Sequence, residues 1–272
     1  MSTGRLTASA YRTLLRLPAF HGKGRVEGWF RRCFLGAART QLHGGLRMEL
    51  DALEWTQAAL LRDGVLEPLT VALMERLLLS GDCYVDVGAH IGFHTLVARR
   101  RIGAQGRVVA VEPQPGNAAR LLDNWRANDF ENLLLVLAAC GAREEPAHVL
   151  FHQRASDAAR LTLAAPGVND EARRFLVPVR RLDRLLDDCA PGPVRLLKLD
   201  VEDYERSVLE GLGAAAARVE HIVLEMLAPS GAVAQALADD LHTRGYALRD
   251  LHGRPWRPGL PLVENNLWAA RT

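Results

Sequence analysis

CYVDVGAHIGFHTL, from Cys83 to Leu96, runs from a short apolar strand through a turn bearing Gly88 and Gly92 directly into a helical pattern. Glycine in such a turn lets the backbone approach a ligand closely, and the helix start offers unpaired N–H groups to a carboxylate or phosphate. Taken alone, the string Asp86, Gly88, Gly92 also describes a tight strand-to-helix turn with no ligand, so it settles the local fold before it settles a function. Outward from it, short apolar runs alternate with helical segments. Cys83 to Val87, Arg107 to Val111, Leu133 to Ala138, Arg195 to Leu199 and His221 to Met226 all read as buried strands. Strands alternating with helices predict a largely parallel sheet covered on both faces.

Between the third and fourth of these runs, Ala147 to Phe151 and Phe175 to Val179 read as an inserted antiparallel pair. A helix through Ala234 to Arg244, a strand near Tyr246 to Leu251 and another near Leu267 to Ala270 complete a mostly parallel, seven-stranded α/β sheet of Rossmann-like type. Upstream, Met1 to about Gly45 carries a weak helical pattern, with Leu14, Leu15 and Leu17 followed by the breaker Pro18 and the glycine-spaced stretch His21 to Gly24. Leu46, Met48 and Leu50 alternate with Arg47 and Glu49, the period-two signature of a half-buried strand in a small hairpin. Trp55 to Leu61 and Pro68 to Leu79 have apolar residues at helical spacing, and Gly81 stands where a C-terminal cap is expected. These divisions predict an N-terminal helical and hairpin cap over 1–64 and a ligand-binding domain over 65–272.

At 272 residues, 49% hydrophobic and 24% charged, the chain has the balance of a soluble globular protein built on one large core. A formal charge of +2 does not call for a polyanionic partner, so nucleic acid is not implied. Cys33, Cys83, Cys140 and Cys189 are widely separated, with no CxxC pair and no zinc-like spacing to histidine, and read as free thiols in a reducing compartment. No apolar run reaches the roughly 20 residues of a membrane-spanning helix and no secretory leader pattern opens the chain, so a cytoplasmic protein without a membrane span is expected.

The second strand ends in Val111, Glu112, Pro113, which places a carboxylate about 25 residues beyond the first loop, where a Rossmann-type acidic residue accepts hydrogen bonds from ribose hydroxyls. Dinucleotide-binding proteins share that acid, but their loop reads GxGxxG. Here only Gly88 and Gly92 stand in that frame, which favours S-adenosylmethionine. The fourth strand reads Leu196, Leu197, Lys198, Leu199, Asp200 and runs into Val201, Glu202, Asp203, Tyr204, Glu205. Lys198 and Asp200 share one face at the carboxyl edge, where ligands sit in open α/β sheets. Asp203 and Glu205 read as acids complementing a helix N-terminus, whereas Asp200 and Glu202 are site candidates.

The order and wording of these segments resemble the FkbM family of methyltransferases. The matching stretches are DVGAHIGFHTL (Asp86 to Leu96), VVAVEPQP (Val108 to Pro115), LLDNWRAN (Leu121 to Asn128), VPVRRLD (Val177 to Asp183) and KLDVEDYERSVLEG (Lys198 to Gly211). Gly64 to Pro68 resembles the family's lead-in. The resemblance implies a class I methyltransferase fold and an S-adenosylmethionine cofactor. It implies transfer to a hydroxyl of a sugar, polyketide or other secondary metabolite, with an N-methyltransferase or a cofactor-binding scaffold without turnover as alternatives. Glu67, Asp86, Gly88, Ala89, His90, Gly92, His94, Glu112 and Pro113 are then expected around the cofactor, with adenine near Ala139 and Cys140. Asp200 or Glu202 is the expected base, with Lys198 beside them and Glu225, at the end of the fifth strand, lining the substrate side. Two residues depart from the family: His90 stands where Asn is usual, and Asp203 where Gly is usual. The second raises the question of whether the backbone beside the substrate pocket is altered.

His90 and His94 lie four apart at a helix start, yet no Glu follows His90 and no third ligand is identified, so no metal is expected. Trp29, Trp55, Trp125 and Trp256 are scattered and read as packing residues rather than a base-stacking platform. No DPPY- or NPPF-like segment follows the fourth strand, which disfavours nucleobase amines as acceptors. The expected partner is a small-molecule acceptor, and the sequence leaves a monomer and a homodimer both open.

Overall fold

The computed structural model describes residues 11, 13–14, 18, 22–34, 37–52, 54–151, 162–164 and 173–272. The first elements are α1 (Lys23–Phe34), β1 (Ala37–Gln41), β2 (Arg47–Asp51), α2 (Trp55–Asp63) and α3 (Pro68–Leu77). The central run follows: β3 (Cys83–Val87), α4 (Phe93–Ile102), β4 (Arg107–Val111), α5 (Pro115–Ala127) and β5 (Leu133–Val136). Then come β6 (Ala139–Gly141), β7 (Glu145–Phe151), β8 (Thr162–Ala164), β9 (Arg173–Arg181) and α6 (Leu182–Cys189). The last are β10 (Val194–Leu199), α7 (Glu205–Leu212), β11 (Val219–Glu225), α8 (Gly231–Thr243), β12 (Tyr246–Arg249) and β13 (Asn266–Arg271).

Seven strands form the main sheet in the order β12-β13-β11-β10-β3-β4-β5. The strands from β11 to β5 pair in parallel, and β13 runs antiparallel to both of its neighbours. After β3 the chain builds the sheet toward β4 and β5, and later resumes on the other side of β3 with β10. The loops leaving β3 and β10 therefore diverge and open a crevice at the carboxyl edge, the place where doubly wound sheets bind ligands. This is the Rossmann-like arrangement expected from the sequence.

The period-two alternation of buried strands divides the core between the faces. Val85, Val87, Leu197 and Leu199 pack with Leu182, Leu186 and Leu209 on one face, while Tyr84 and Leu196 pack with Met74, Leu96 and Leu50 on the other. Each such side chain removed from water contributes roughly 1.5–3 kcal/mol. On the second face β2 lies against α5, and the Asn124 and Asn128 side chains serve its backbone. Asn124 Oδ1 accepts from Glu49 N–H and Asn128 Oδ1 from Arg47 N–H, each at 2.8 Å. The Leu46, Met48 and Leu50 stripe is buried as its alternation predicts, and β2 pairs with β1 as a hairpin.

The inserted pair is present as β7 against β9, from Glu145↔Val179 to Phe151↔Arg173. It belongs to a four-stranded sheet of order β6-β9-β7-β8. The side chains of 146–175 lie outside the described set, as do Leu15, Leu17 and the side chain of Cys33. Four expectations are corrected. α3 ends at Leu77 with Leu78 extended, and Gly81, at φ +89°, serves the turn into β3 instead of capping the helix. The third strand stops at Val136, leaving Leu137 46% exposed. The weak helical pattern does not continue to Gly45: α1 runs from Lys23 to Phe34, and Ala37–Gln41 is extended as β1, paired with β2 in the hairpin. Trp125 and Trp256 are buried, but Trp29 and Trp55 are 57% and 67% exposed and so do not pack in the core.

Candidate functional site

The turn after β3 is held from both sides. Gly88 and Ala89 N–H groups donate to Val111 O of β4 at 2.9 and 3.1 Å, and Asp200 N–H, just past β10, donates to Val87 O at 3.0 Å. Gly88 has φ +86°, and a Cβ there would lie 1.8 Å from the Asp200 carbonyl oxygen. Gly92 has φ +90°, and its Cβ would lie 2.7 Å from Leu121 Cγ. Only glycine fits the first position, where backbone meets backbone. α4 begins at Phe93 behind Gly92 and no side chain caps this end, so its first N–H groups are available to an anionic or polar ligand.

Glu112, at the end of β4, is 4% exposed. Its Oε2 accepts from His90 N–H at 2.8 Å, and its Oε1 accepts from Gln114 N–H at 2.8 Å and from Asn117 Nδ2 at 3.4 Å. Burial pushes the carboxyl up to about 7, against the opposing pull of these donors. A carboxylate has about four acceptor positions, so capacity remains toward the cavity.

A buried polar cluster lies beneath the turn. Thr95 Oγ1 donates to Asp86 Oδ2 at 2.6 Å, and Lys198, in register with Asp86, donates through Nζ to Asp200 Oδ2 at 2.7 Å. Burial alone would lower the Lys198 ammonium, but the Asp200, Glu67 and Asp86 carboxylates outweigh it and leave it raised. Burial also opposes ionisation of Asp200, but there Lys198 prevails and holds the carboxyl below its ordinary value. Burial raises Asp86 and pushes Glu67 up to about 7. It drives His94 well below the ordinary imidazole value. Asp86 Oδ1 and His94 Nε2 are buried without a hydrogen-bond partner among the described residues; Glu67 Oε2 lies 3.5 Å from His94 Nε2.

Glu67 enters this cluster through an arrangement that local sequence does not announce. Glu264 accepts from Leu69 N–H and Thr70 N–H, both at 2.8 Å, and so caps α3 from 195 residues away. Asn266 Nδ2 donates to Glu67 Oε2 and to Thr70 Oγ1, each at 3.0 Å. Glu264, Asn266, Thr95 and Asn117 were missed by sequence reasoning. Asn117 alone had a usable signal, since it stands five residues after Glu112 in the first turns of a helix.

Both departures from the family pattern fall where the backbone is left-handed: His90 at φ +51° and Asp203 at φ +73°, beside Glu202 at φ +54°. Asn, Asp and His are the non-glycine residues that enter this region most readily. Asp203 therefore holds a conformation that glycine favours.

These elements enclose a cavity of about 290 Å³. Glu112, Pro113, Ala139 and Cys140 line the β4 and β5 side. Lys198, Asp200, Glu202 and Glu225 line the β10 and β11 side, and Glu67, Asp86, Gly88, Ala89, His90 and His94 lie between. Of the residues expected around the cofactor and acceptor, Gly92 alone is absent from the lining; it shapes the turn that leads into α4. Trp55, Leu60, Leu66 and Tyr204 complete the lining. Among the described residues no group of three His, Cys, Asp or Glu side chains is placed to hold a metal ion. None of their helices is long and apolar enough to cross a membrane.

A family model described as the methyltransferase FkbM domain matches residues 86–247. Among solved structures, the chain is similar to a methyltransferase FkbM from Methylobacillus flagellatus KT at 17% identity and TM-score 0.46, over 97% of this chain and 59% of that one. It is similar to a precorrin-6y C5,15-methyltransferase from Geobacter metallireducens GS-15 at 15% identity and TM-score 0.43, over 76% and 88% of the two chains. It is also similar to a SAM-dependent O-methyltransferase from Thermotoga maritima at 15% identity and TM-score 0.42, over 76% and 66%. No curated protein matches the chain.

Proposed function

The chain belongs to the FkbM family of S-adenosylmethionine-dependent methyltransferases, and from that membership we propose that it methylates a hydroxyl oxygen of a small molecule, a sugar, polyketide or other secondary metabolite. The observation that carries the cofactor side is Glu112: a buried carboxylate held by the His90 and Gln114 amides with acceptor capacity left toward the cavity. It suits the ribose diol. The glycine cradle at Gly88, the uncapped start of α4 and the unpartnered Asp86 Oδ1 suit the zwitterionic methionine end, which carries both an ammonium and a carboxylate. Ala139 and Cys140 offer a small, mostly apolar wall for adenine. The residues present therefore fit S-adenosylmethionine, which when bound supplies an electrophilic methyl on sulfur.

The chain's own contribution is to hold an acceptor oxygen in line and exclude water. Lys198 fixes Asp200 across the floor of the β10 and β11 side, and Glu202 and Glu225 face the same space. The proposed determinant of acceptor choice is the segment that carries Trp55 and Leu60, both of which line the cavity, together with the β6–β9 insertion. An amine acceptor is the competing reading, favoured by these same carboxylates, which would attract a cation. A matched panel of alcohols and amines with methyl-labelled cofactor separates the two. Label in ethers supports oxygen transfer, and label confined to amines overturns it. Cofactor binding without product across the panel would instead identify a scaffold without turnover.

A further inference from the structure

Asp200, Glu202 and Glu225 are the carboxylates on the acceptor side of the cavity, and their engagements differ. Asp200 is committed. Its Oδ2 accepts from Lys198 Nζ at 2.7 Å, and its backbone is bonded to Val87. A carboxylate whose charge is matched by a buried ammonium is a weak proton acceptor, because protonation would strand that ammonium. Glu202 lies beyond the strand in the left-handed turn shared with Asp203. Glu225 ends β11, in register with Asn266 of β13. It is half-buried and lines the cavity, and its side chain has no hydrogen bond or ion pair among the described residues. Burial first, then the charges of Asp200 and Glu202, push its carboxyl up to about 8, the range in which a general base works near neutral pH.

We propose that Glu225, rather than Asp200, is the proton acceptor of the methyl transfer. This rests on the reading of the cavity as a methyltransferase site acting on a hydroxyl. As the acceptor oxygen's lone pair forms its bond to the methyl carbon, the C–S bonding pair passes to sulfur. The O–H bonding pair stays on oxygen, and the proton moves to the Glu225 carboxylate. The products are a methyl ether, S-adenosylhomocysteine and a protonated Glu225, so charge and atoms balance. Lys198 and Asp200 act as a fixed pair that positions the floor of the site.

The test requires no identified acceptor. Sinefungin carries a C–NH3+ group where the cofactor carries S+–CH3, so a carboxylate facing the transferred methyl favours it over S-adenosylhomocysteine. Calorimetric titrations of both compounds at pH 8.5 are made on the full chain and on Glu225→Gln, Asp200→Asn and Glu202→Gln, with far-UV circular dichroism checking each fold. The expected result is a preference for sinefungin of about tenfold or more in the wild type. It should be lost in Glu225→Gln, with S-adenosylhomocysteine affinity unchanged, and kept in Glu202→Gln. A preference that survives Glu225→Gln, or that disappears in Asp200→Asn or Glu202→Gln but not in Glu225→Gln, overturns the proposal. Binding of neither compound to the wild type would overturn the underlying cofactor reading as well.

Discussion

Cofactor affinity should fall about tenfold between pH 8 and pH 6, and Glu112 should be the cause. The ligand-free carboxyl sits at about 7 because burial outweighs the His90, Gln114 and Asn117 donors. It is therefore roughly nine-tenths ionised at pH 8 and one-tenth at pH 6. Ribose hydroxyls donate to the ionised form, so occupancy of the complex tracks that fraction. The same shift makes the carboxylate costly in the ligand-free fold. Its contribution to stability is fully present below its ordinary value of 4.5 and is lost as pH rises through about 7. Bound cofactor offsets that loss, so its thermal stabilisation of the protein should be larger at pH 8. The assay is isothermal titration with S-adenosylmethionine at half-unit pH intervals, on wild type and on Glu112→Gln. Glu67 also titrates near 7, and the variant separates the two. Glu67 and Glu225 remain titratable in the variant, so Glu112→Gln should bind more weakly and the wild-type fall between pH 8 and pH 6 should exceed the variant's by about tenfold. An equal slope in both, or none in wild type, would refute the argument.

Gly88→Ala combines φ +86° with a Cβ only 1.8 Å from the Asp200 carbonyl. It should destabilise the fold by at least about 3 kcal/mol in urea unfolding, or prevent folding; a loss below about 1 kcal/mol would mean the turn can move away from β10. Asp203→Gly, which relaxes a left-handed residue at φ +73°, should leave cofactor affinity unchanged and raise stability by up to about 1 kcal/mol; a lower melting temperature would show that the aspartate side chain matters more than its backbone. Asn124→Ala removes a buried side chain that accepts from Glu49 N–H at 2.8 Å and donates to Ile91 O at 3.0 Å. It should cost about 2–4 kcal/mol and speed hydrogen exchange at Glu49; unchanged exchange would separate β2 from the helix. Lys198→Met strands the Asp86, Asp200 and Glu67 carboxylates and should cost about 3–5 kcal/mol near pH 8, with the loss shrinking toward pH 5 as those acids protonate; a pH-independent loss would point to packing alone.

The main sheet was legible in the sequence because its strands are continuous apolar runs at regular intervals, and the turn at Gly88 because backbone crowding there leaves glycine as the residue that fits. Glu112 was legible from its spacing to that turn. The contacts that seat Glu67 were not. Glu264 reaches α3 through two backbone amides far away in the chain, and such a bond leaves no periodicity in either segment. The three-residue strands β6 and β8 are too short to show alternation. Trp55 was misjudged for another reason: its size suggests burial, but it opens α2 and stays 67% exposed. Hydrophobicity predicts which residues can be inside and is silent about those that a site keeps outside.

The central claim is that the nucleoside of S-adenosylmethionine is held by Glu112 in the crevice opened beside β3. A crystal structure with S-adenosylhomocysteine tests it most directly. Both ribose hydroxyl oxygens should lie within about 3 Å of the Glu112 carboxylate, with the amino-acid end over Gly88 and the thioether sulfur turned toward Glu225. A nucleoside seated elsewhere, or in this crevice with its ribose away from Glu112, would contradict the account.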